Sequence, residues 1–321
     1  MENNIVITLL QLKGINRKTI LKSFDLSDDS ECTLQHIKEQ LLKASLKDSR
    51  IGCYSDEEIG IAFQKAHNII EQSNKSNVKI VTFLDQKYPK RLKDITDPPV
   101  VLYYKGDIEC LNASRVVAII GTRKPTEYGL KIARNLGESF GKRKYTVVSG
   151  LAIGCDQFGH EGCLDVNGRT VAVMPCGLDT IYPAQNRGLA KRILDFGGCL
   201  LSEYPIGTKV FKNQLVERDR LQSGLSDGVI VVETAERGGT LHTVNYAIEY
   251  KRIVGCYNHP AKYLSQKQTA GNQMLIKGKK AIAIGTNEEL CDFRKLMEKR
   301  PNQKEDGQEK IVQETIFDFM E

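Results

Sequence analysis

Short unbroken apolar runs recur along the chain: VVAIIG (116–121), TVVSG (146–150), TVAVM (170–174), CLLSEY (199–204), GVIVVE (228–233), RIVGCY (252–257) and AIAIG (281–285). Continuous rather than alternating apolar residues predict strands buried on both faces. Polar–apolar mixtures between them predict helices over 127–140, 155–166, 185–195, 213–225 and 240–250. Strand–helix alternation of this kind predicts an α/β fold built on a doubly wound, mostly parallel sheet. Upstream, KIVTF and VVLYY are separated by Pro89, Pro98 and Pro99. Proline ends elements and holds the preceding residue extended, so both segments read as edge-strand additions.

Residues 1–75 follow a different pattern. Leu9, Leu10, Leu12, Ile15, Ile20, Leu21 and Phe24 give an apolar face interrupted by Gly14 and Asn16. The segment LLQLKGINRKTILKSF reads as two short helices joined by a tight turn at KGIN, with further helices over about 33–46 and 55–72. A turn followed by Arg17 and Lys18 at a helix start can set backbone N–H groups against a phosphate. In this it resembles a helix-hairpin-helix or SAM-like module; a plain helical turn in a small bundle fits equally. The expected division is a small all-helical domain (1–75), an α/β domain (80–290), and a helix end, linker and short acidic tail (291–321). Within that tail IVQETIFDFME reads as one amphipathic turn.

Composition changes this picture little. The 321 residues are 40% hydrophobic and 27% charged, ordinary for a globular chain. No stretch approaches the roughly 18 apolar residues that span a bilayer, so no membrane partner is expected. The N-terminus MENNIVITLLQLKG lacks a basic leading segment and does not read as a signal peptide. Nine scattered cysteines contain no C-x-x-C, which points to free thiols in a reducing cytoplasm rather than disulfides or structural zinc. Charge is more informative. The net +6 is uneven: residues 301–321 hold six acids and two lysines, so the other 300 carry +10. That excess favours anionic partners.

Candidate chemistry lies in the loops after the predicted strands, where ligands of such sheets bind. In IIGTRKPTEYG, Gly121 and Thr122 end a strand, Arg123 and Lys124 follow, and a helix starts near Thr126. Helix N-termini and small-residue turns suit anions, and an arginine can grip phosphate with two parallel hydrogen bonds. Neither G-x-G-x-x-G nor G-x-x-x-x-G-K-[ST] is present, so no dinucleotide or nucleoside-triphosphate cofactor is expected. In VVSGLAIGCDQFGH, Ser149 and Gly150 permit close backbone approach, and Asp156 and His160, one helical turn apart, read as a structural bracing pair rather than metal ligands. In GTKVFKNQLVERDRLQSGLS, Lys209 and Lys212 approach a helix that carries Arg218 and Arg220. Two apart, these arginines face different ways, so one is open to phosphate while the other packs or pairs with Glu217 or Asp219. In VVETAERGGTLHTVNYAIE, Gly238, Gly239 and Thr240 offer N–H groups to an anion, with Thr240 as cap and Glu233 orienting the loop. His242 is isolated. No serine or cysteine has an evident base partner, so no catalytic residue is assigned.

Together these loops resemble the DprA/Smf family of DNA-processing proteins. The matching segments run in order: YPKRLKDITDPPVVLYYKGD, IIGTRKPTEYG, SGLAIGCDQFGH, CGLDTIYPAQN, LLSEYPIGT, ERDRLQSGLSDGVIVVE, ERGGTLHTVNYAIE and GNQMLIKG. The family's R-N-R segment is Arg218-Asp219-Arg220 here, with an acid for the asparagine. The resemblance implies an extended Rossmann-like fold, homodimerisation, single-stranded DNA binding and loading of the RecA recombinase onto incoming DNA, without catalysis. A competing class is a nucleotide-binding enzyme of the lysine-decarboxylase-like superfamily, such as a phosphoribohydrolase, whose P-G-G-x-G-T-x-x-E loop ERGGTLHTVNYAIE loosely resembles. A nucleotide sensor in phage defence is a third.

Overall fold

The structure, a computed structural model, describes residues 3–26 and 32–299. The tail segment IVQETIFDFME lies outside the described residues. Four helices lead the chain: α1 (Asn3–Leu10), α2 (Arg17–Ser23), α3 (Leu34–Lys47) and α4 (Asp56–Lys75). Local capping sets their starts. The Thr33 hydroxyl accepts from the His36 N–H at 3.1 Å, and Ser55 and Glu58 form a reciprocal capping box. The apolar faces of these helices do not close on themselves. Val6, Leu9, Ile20 and Ile37 share one core cluster with Val101, Tyr103, Ala172 and Met174. The helical unit is therefore docked on the α/β domain through a common core.

That domain comprises β1 (Lys79–Thr82), a short α5 (Lys90–Lys93), β2 (Val101–Gly106), β3 (Val116–Ile120), α6 (Glu127–Gly141), β4 (Thr146–Ser149), α7 (Cys155–Asp165), β5 (Thr170–Met174), α8 (Arg187–Asp195), β6 (Cys199–Ser202), α9 (Lys212–Gly224), β7 (Gly228–Val231), α10 (Thr240–Glu249), β8 (Ile253–Tyr257), α11 (Lys267–Lys277), β9 (Ile282–Ile284) and α12 (Asn287–Glu298). Among the described residues the sheet has nine strands in the order β1-β2-β6-β5-β4-β3-β7-β8-β9. The pairs from β6 through β9 are parallel. Strands β1 and β2 extend the β6 edge in antiparallel fashion. Every residue of β3 to β7 is buried, as their unbroken apolar runs require.

Two helices depart from the sequence expectation. Helix α11, KQTAGNQMLIK, has no apolar stripe to announce it. Its buried Asn272 instead ties it to the sheet, donating to the Val232 and Tyr257 carbonyls at 2.9 and 3.0 Å and accepting from the Thr234 N–H at 2.8 Å. The expected boundary at residue 290 falls inside α12. Phe293 and Met297 pack into the cluster that holds Ile230 and Val232, so the domain continues to Glu298.

Candidate functional site

Strands β3 and β7 are neighbours, yet the chain moves outward from β3 through β4, β5 and β6 on one side and from β7 through β8 and β9 on the other. This reversal opens a crevice beyond their carboxyl ends. A cavity of about 530 Å³ lies there. Gly121 to Lys124 line it after β3; Thr234, Ala235 and Arg237 to Gly239 line it after β7; Thr240, His242 and Thr243 of α10 close one side. Helix α9 closes another with Lys212, Leu215, Asp219 and Gln222, which fall three or four apart and share one face. Arg123, Lys124, Lys212 and Arg237 are exposed at the rim. Among the described residues, none of the four has an acid within the 4.0 Å limit of an ion pair. Arg237 and Gln222 carry no motif of their own. The signals pointing to them are adjacency to the Gly238-Gly239 pair and position on the Lys212–Asp219 stripe.

Glu233, fully buried, shapes the loop after β3. Its carboxylate accepts from the Thr126 N–H at 2.8 Å and the Thr126 hydroxyl at 2.6 Å, while that hydroxyl accepts from the Gly129 N–H at 2.9 Å. Its backbone carbonyl accepts from the Thr122 N–H at 2.8 Å, and His259 Nε2 lies 3.3 Å from Oε1. The N-terminus of α6, expected to face an external anion, is thus occupied by an internal carboxylate. The side chains of Arg123 and Lys124 remain exposed at this loop. Helix α10 differs. Its cap position is Gly239, no side chain caps it, and Thr240 is its first helical residue rather than its cap. The Leu241 and His242 N–H groups donate to the Gly238 and Gly239 carbonyls at 3.1 and 3.0 Å, so at most the N–H groups of Gly239 and Thr240 are left to meet a ligand there. Gly129→Ala places a Cβ 2.3 Å from the Glu233 carboxyl carbon. It is expected to lower the free energy of unfolding by about 1–3 kcal/mol, read by urea denaturation.

Several residues expected to contact phosphate are turned inward. The Ser149 hydroxyl donates to the Ile119 carbonyl at 2.6 Å, and the Gly150 N–H donates to Asp156 at 3.1 Å. A Cβ on Gly150 would meet the Arg218 guanidinium at 1.7 Å, so glycine there makes room for the arginine. Arg218 is 5% exposed. It donates to the Val173 carbonyl at 2.8 Å and lies 3.3 Å from Asp219, forming cavity wall rather than a free cation. Arg220 is 1% exposed, lies outside the cavity lining and pairs with Glu203. Neither Glu217 nor Asp219 is its partner. Lys209 is exposed but does not line the cavity. Asp156 and His160 are both buried but do not bond each other: His160 Nδ1 meets the Thr170 hydroxyl at 2.5 Å. Each braces a different strand end.

Burial shifts the acids of the cavity. It pushes the Asp219 carboxyl up to about 6, with Asp156 adding and Arg218, His242 and Arg123 opposing. Burial also raises Asp156, against Arg218 and hydrogen bonds from the backbone. His160 is pushed down to about 3 by burial, helped by Arg218, and stays neutral. The rim is thus cationic, while three buried lining residues, Asp156, Arg218 and Gln222, mix charge with hydrogen-bonding groups.

At the KGIN turn the helix-start N–H groups and Arg17 are engaged within the chain. The Asn16 side chain accepts from the Lys18 and Thr19 N–H groups at 3.0 and 3.1 Å. Arg17 donates to Asp97 at 2.7 Å and to Glu217 at 3.1 Å and lies 3.7 Å from Glu203. These groups serve the junction between the helical unit and the α/β domain. Tyr128 and Tyr182 are packed within the fold. Tyr128 stacks on Tyr263 at 4.3 Å and shares a hydroxyl hydrogen bond with Tyr257 at 2.8 Å, and Tyr182 packs against the first core cluster.

Residues 79–295 match the family described as DNA recombination-mediator protein A. The chain is 36% identical to DNA processing protein DprA of Bacillus subtilis over 217 residues, covering 68% of this chain and 70% of that one. It is 30% identical to DNA processing protein DprA of Streptococcus pneumoniae over 297 residues, covering 90% and 98%. It is 42% identical to Protein Smf of Synechocystis over 188 residues, 58% of this chain but only 47% of that longer relative. The X-ray structure of the Streptococcus pneumoniae protein superimposes with a TM-score of 0.73 at 28% identity, covering 90% of this chain and 97% of that one. DNA processing protein A of Helicobacter pylori, whose structure gave insight into its single-stranded DNA binding mode, superimposes with a TM-score of 0.60 at 28% identity, covering 68% and 95%. With the family match spanning most of the sheet and every loop around the cavity, the chain belongs to the DNA recombination-mediator protein A family, the DprA/Smf DNA-processing proteins.

Proposed function

We propose that this chain binds single-stranded DNA at the cavity beyond β3 and β7, without catalysis. In this reading it protects incoming DNA and assists loading of the RecA recombinase, acting as a cytoplasmic homodimer. One observation carries the DNA-binding part: Arg123, Lys124, Lys212 and Arg237 ring a cavity at the strand ends with no acid paired to them among the described residues. Arginines elsewhere in the fold, such as Arg17, Arg91 and Arg220, are neutralised by Asp97, Asp227 and Glu203. Cations left free around a concave site favour a polyanion, and phosphate contacts of this kind position a strand without reading its sequence. The cavity volume suits a nucleotide-sized group. The Helicobacter pylori relative, described by its single-stranded DNA binding mode, supports the same ligand. The RecA and homodimer parts rest on family membership.

The reading without catalysis likewise rests on family membership. The test is displacement of a labelled mixed-sequence single strand from the full chain, followed by fluorescence anisotropy. Unlabelled single strand is expected to displace it, whereas the duplex and a nucleoside monophosphate compete poorly. Displacement by the monophosphate as effective as by the strand, or release of free base from it, would replace this reading with that of a nucleotide-handling enzyme.

A further inference from the structure

The cavity wall holds a buried hydrogen-bond acceptor that the protein leaves without a partner. Gln222 is 2% exposed and lines the cavity. Its Nε2 donates to Asp219 Oδ1 at 3.0 Å. A carboxylate only accepts, so this bond fixes which way the amide points. The opposite amide atom, Oε1, is buried with no hydrogen-bond partner. Asp219 is similarly one-sided. Gln222 and Arg218 both approach Oδ1, and no hydrogen bond from a described residue reaches Oδ2. One acceptor on this turn of α9, Gln222 Oε1, is thus buried without a partner, beside the partly exposed Asp219 carboxylate. An unsatisfied buried acceptor is costly, and a ligand that brings a donor removes that cost.

We propose that Asp219 and Gln222 read the amino edge of a nucleobase inserted between the rim cations, making the cavity selective for bases that carry an exocyclic amine. This rests on the single-stranded DNA reading above and names what that site prefers. The arrangement orients a nucleotide: phosphate at Arg123, Lys124, Lys212 and Arg237, base toward Asp219 and Gln222 on α9. A single strand presents its Watson–Crick edge freely, so amide and carboxylate groups can read it. Cytosine offers an amino group where thymine offers a carbonyl oxygen, which a carboxylate repels. The two bases are alike in size, so their comparison isolates this contact. Asp156 adds a second negative charge beside Asp219, and Arg218, His242 and Arg123 counter it. Above the raised titration of Asp219, near 6, its carboxylate is ionised and acts purely as acceptor.

The experiment measures binding of oligo-dC and oligo-dT, each of about 16 nucleotides, to the full chain at mildly alkaline pH across a range of salt. Oligo-dC is expected to bind about tenfold more tightly than oligo-dT, the discrimination that one good base contact supplies. Asp219→Asn and Gln222→Leu are each expected to bring the ratio toward one while leaving the salt dependence of binding intact, because the rim cations are untouched. Equal binding of the two oligonucleotides by the unaltered chain overturns this inference and leaves the DNA-binding reading standing. A preference for oligo-dC that survives both substitutions overturns the assignment to this pair. Binding of neither oligonucleotide overturns the DNA-binding reading, and this inference with it.

Discussion

Arg220→Ala is expected to lower the free energy of unfolding by about 3–5 kcal/mol, the cost of leaving a buried ion-pair partner uncompensated. Arg220 is among the largest fully buried side chains of the protein. It pairs with Glu203, whose carboxyl burial already pushes up against the pull of Arg220 and Arg17. Removing the guanidinium leaves Glu203 with Arg17 at 3.7 Å as its remaining cation, and leaves an arginine-sized void beside Tyr88 and Tyr250, both of which sense its charge. The Arg220 Nε and Nη1 atoms have no hydrogen-bond partner, so the pair is imperfectly satisfied. An Arg220→Met, Glu203→Leu double substitution is therefore expected to recover much of the loss, as apolar replacements of buried pairs often do. Urea midpoints of the three proteins check this. Under conditions where Arg220→Ala remains folded, its affinity for DNA is expected to match that of the unaltered chain, because Arg220 does not line the cavity. A large loss of DNA affinity at unchanged stability would return Arg220 to the binding surface.

That outcome bears on what a single sequence reveals. The sheet was legible because a strand buried on both faces must be apolar throughout: VVAIIG and GVIVVE permit few other structures, and they are β3 and β7. The position of the cavity followed from topology, since ligands sit where a doubly wound sheet reverses. The roles of individual charges were not legible in the same way. Arg123 and Arg220 look alike in sequence, but one is exposed at the rim and the other is held by Glu203, which lies seventeen residues away along the chain. Periodicity separates the faces of α9, placing Arg218 and Arg220 apart, but it does not say which face meets solvent. Gly150 illustrates the same limit. Its lack of a side chain suggested room for a ligand, and that room is taken by Arg218. The glycines at 238 and 239 do line the cavity. Helix α11 escaped because a buried asparagine, not an apolar stripe, holds it.

The second large effect concerns the rim. Arg123→Ala combined with Arg237→Ala is expected to weaken binding of single-stranded DNA by about 100-fold at low salt, with each lost charged hydrogen bond contributing about 1.5 kcal/mol. Both side chains are exposed, and neither pairs with an acid among the described residues. Stability is expected to change by less than about 0.5 kcal/mol, as for surface substitutions generally. The combination of lost affinity and retained stability separates this pair from Arg220, where the reverse is expected. Arg123 and Arg237 stand on opposite lips of the crevice, after β3 and after β7. Removing either alone is expected to leave a strand held on one side, with roughly half the loss in free energy.

The most direct test is the salt dependence of single-stranded DNA binding by the unaltered chain and by the Arg123→Ala, Arg237→Ala protein. For single strands each phosphate contact contributes about −0.7 to the slope of log affinity against log salt concentration. Four rim cations predict a slope near −3 for the unaltered chain, and loss of two predicts a slope shallower by about 1.4. A binding constant insensitive to salt, or a slope and affinity unchanged by removing both arginines, would contradict the assignment of this cavity to DNA.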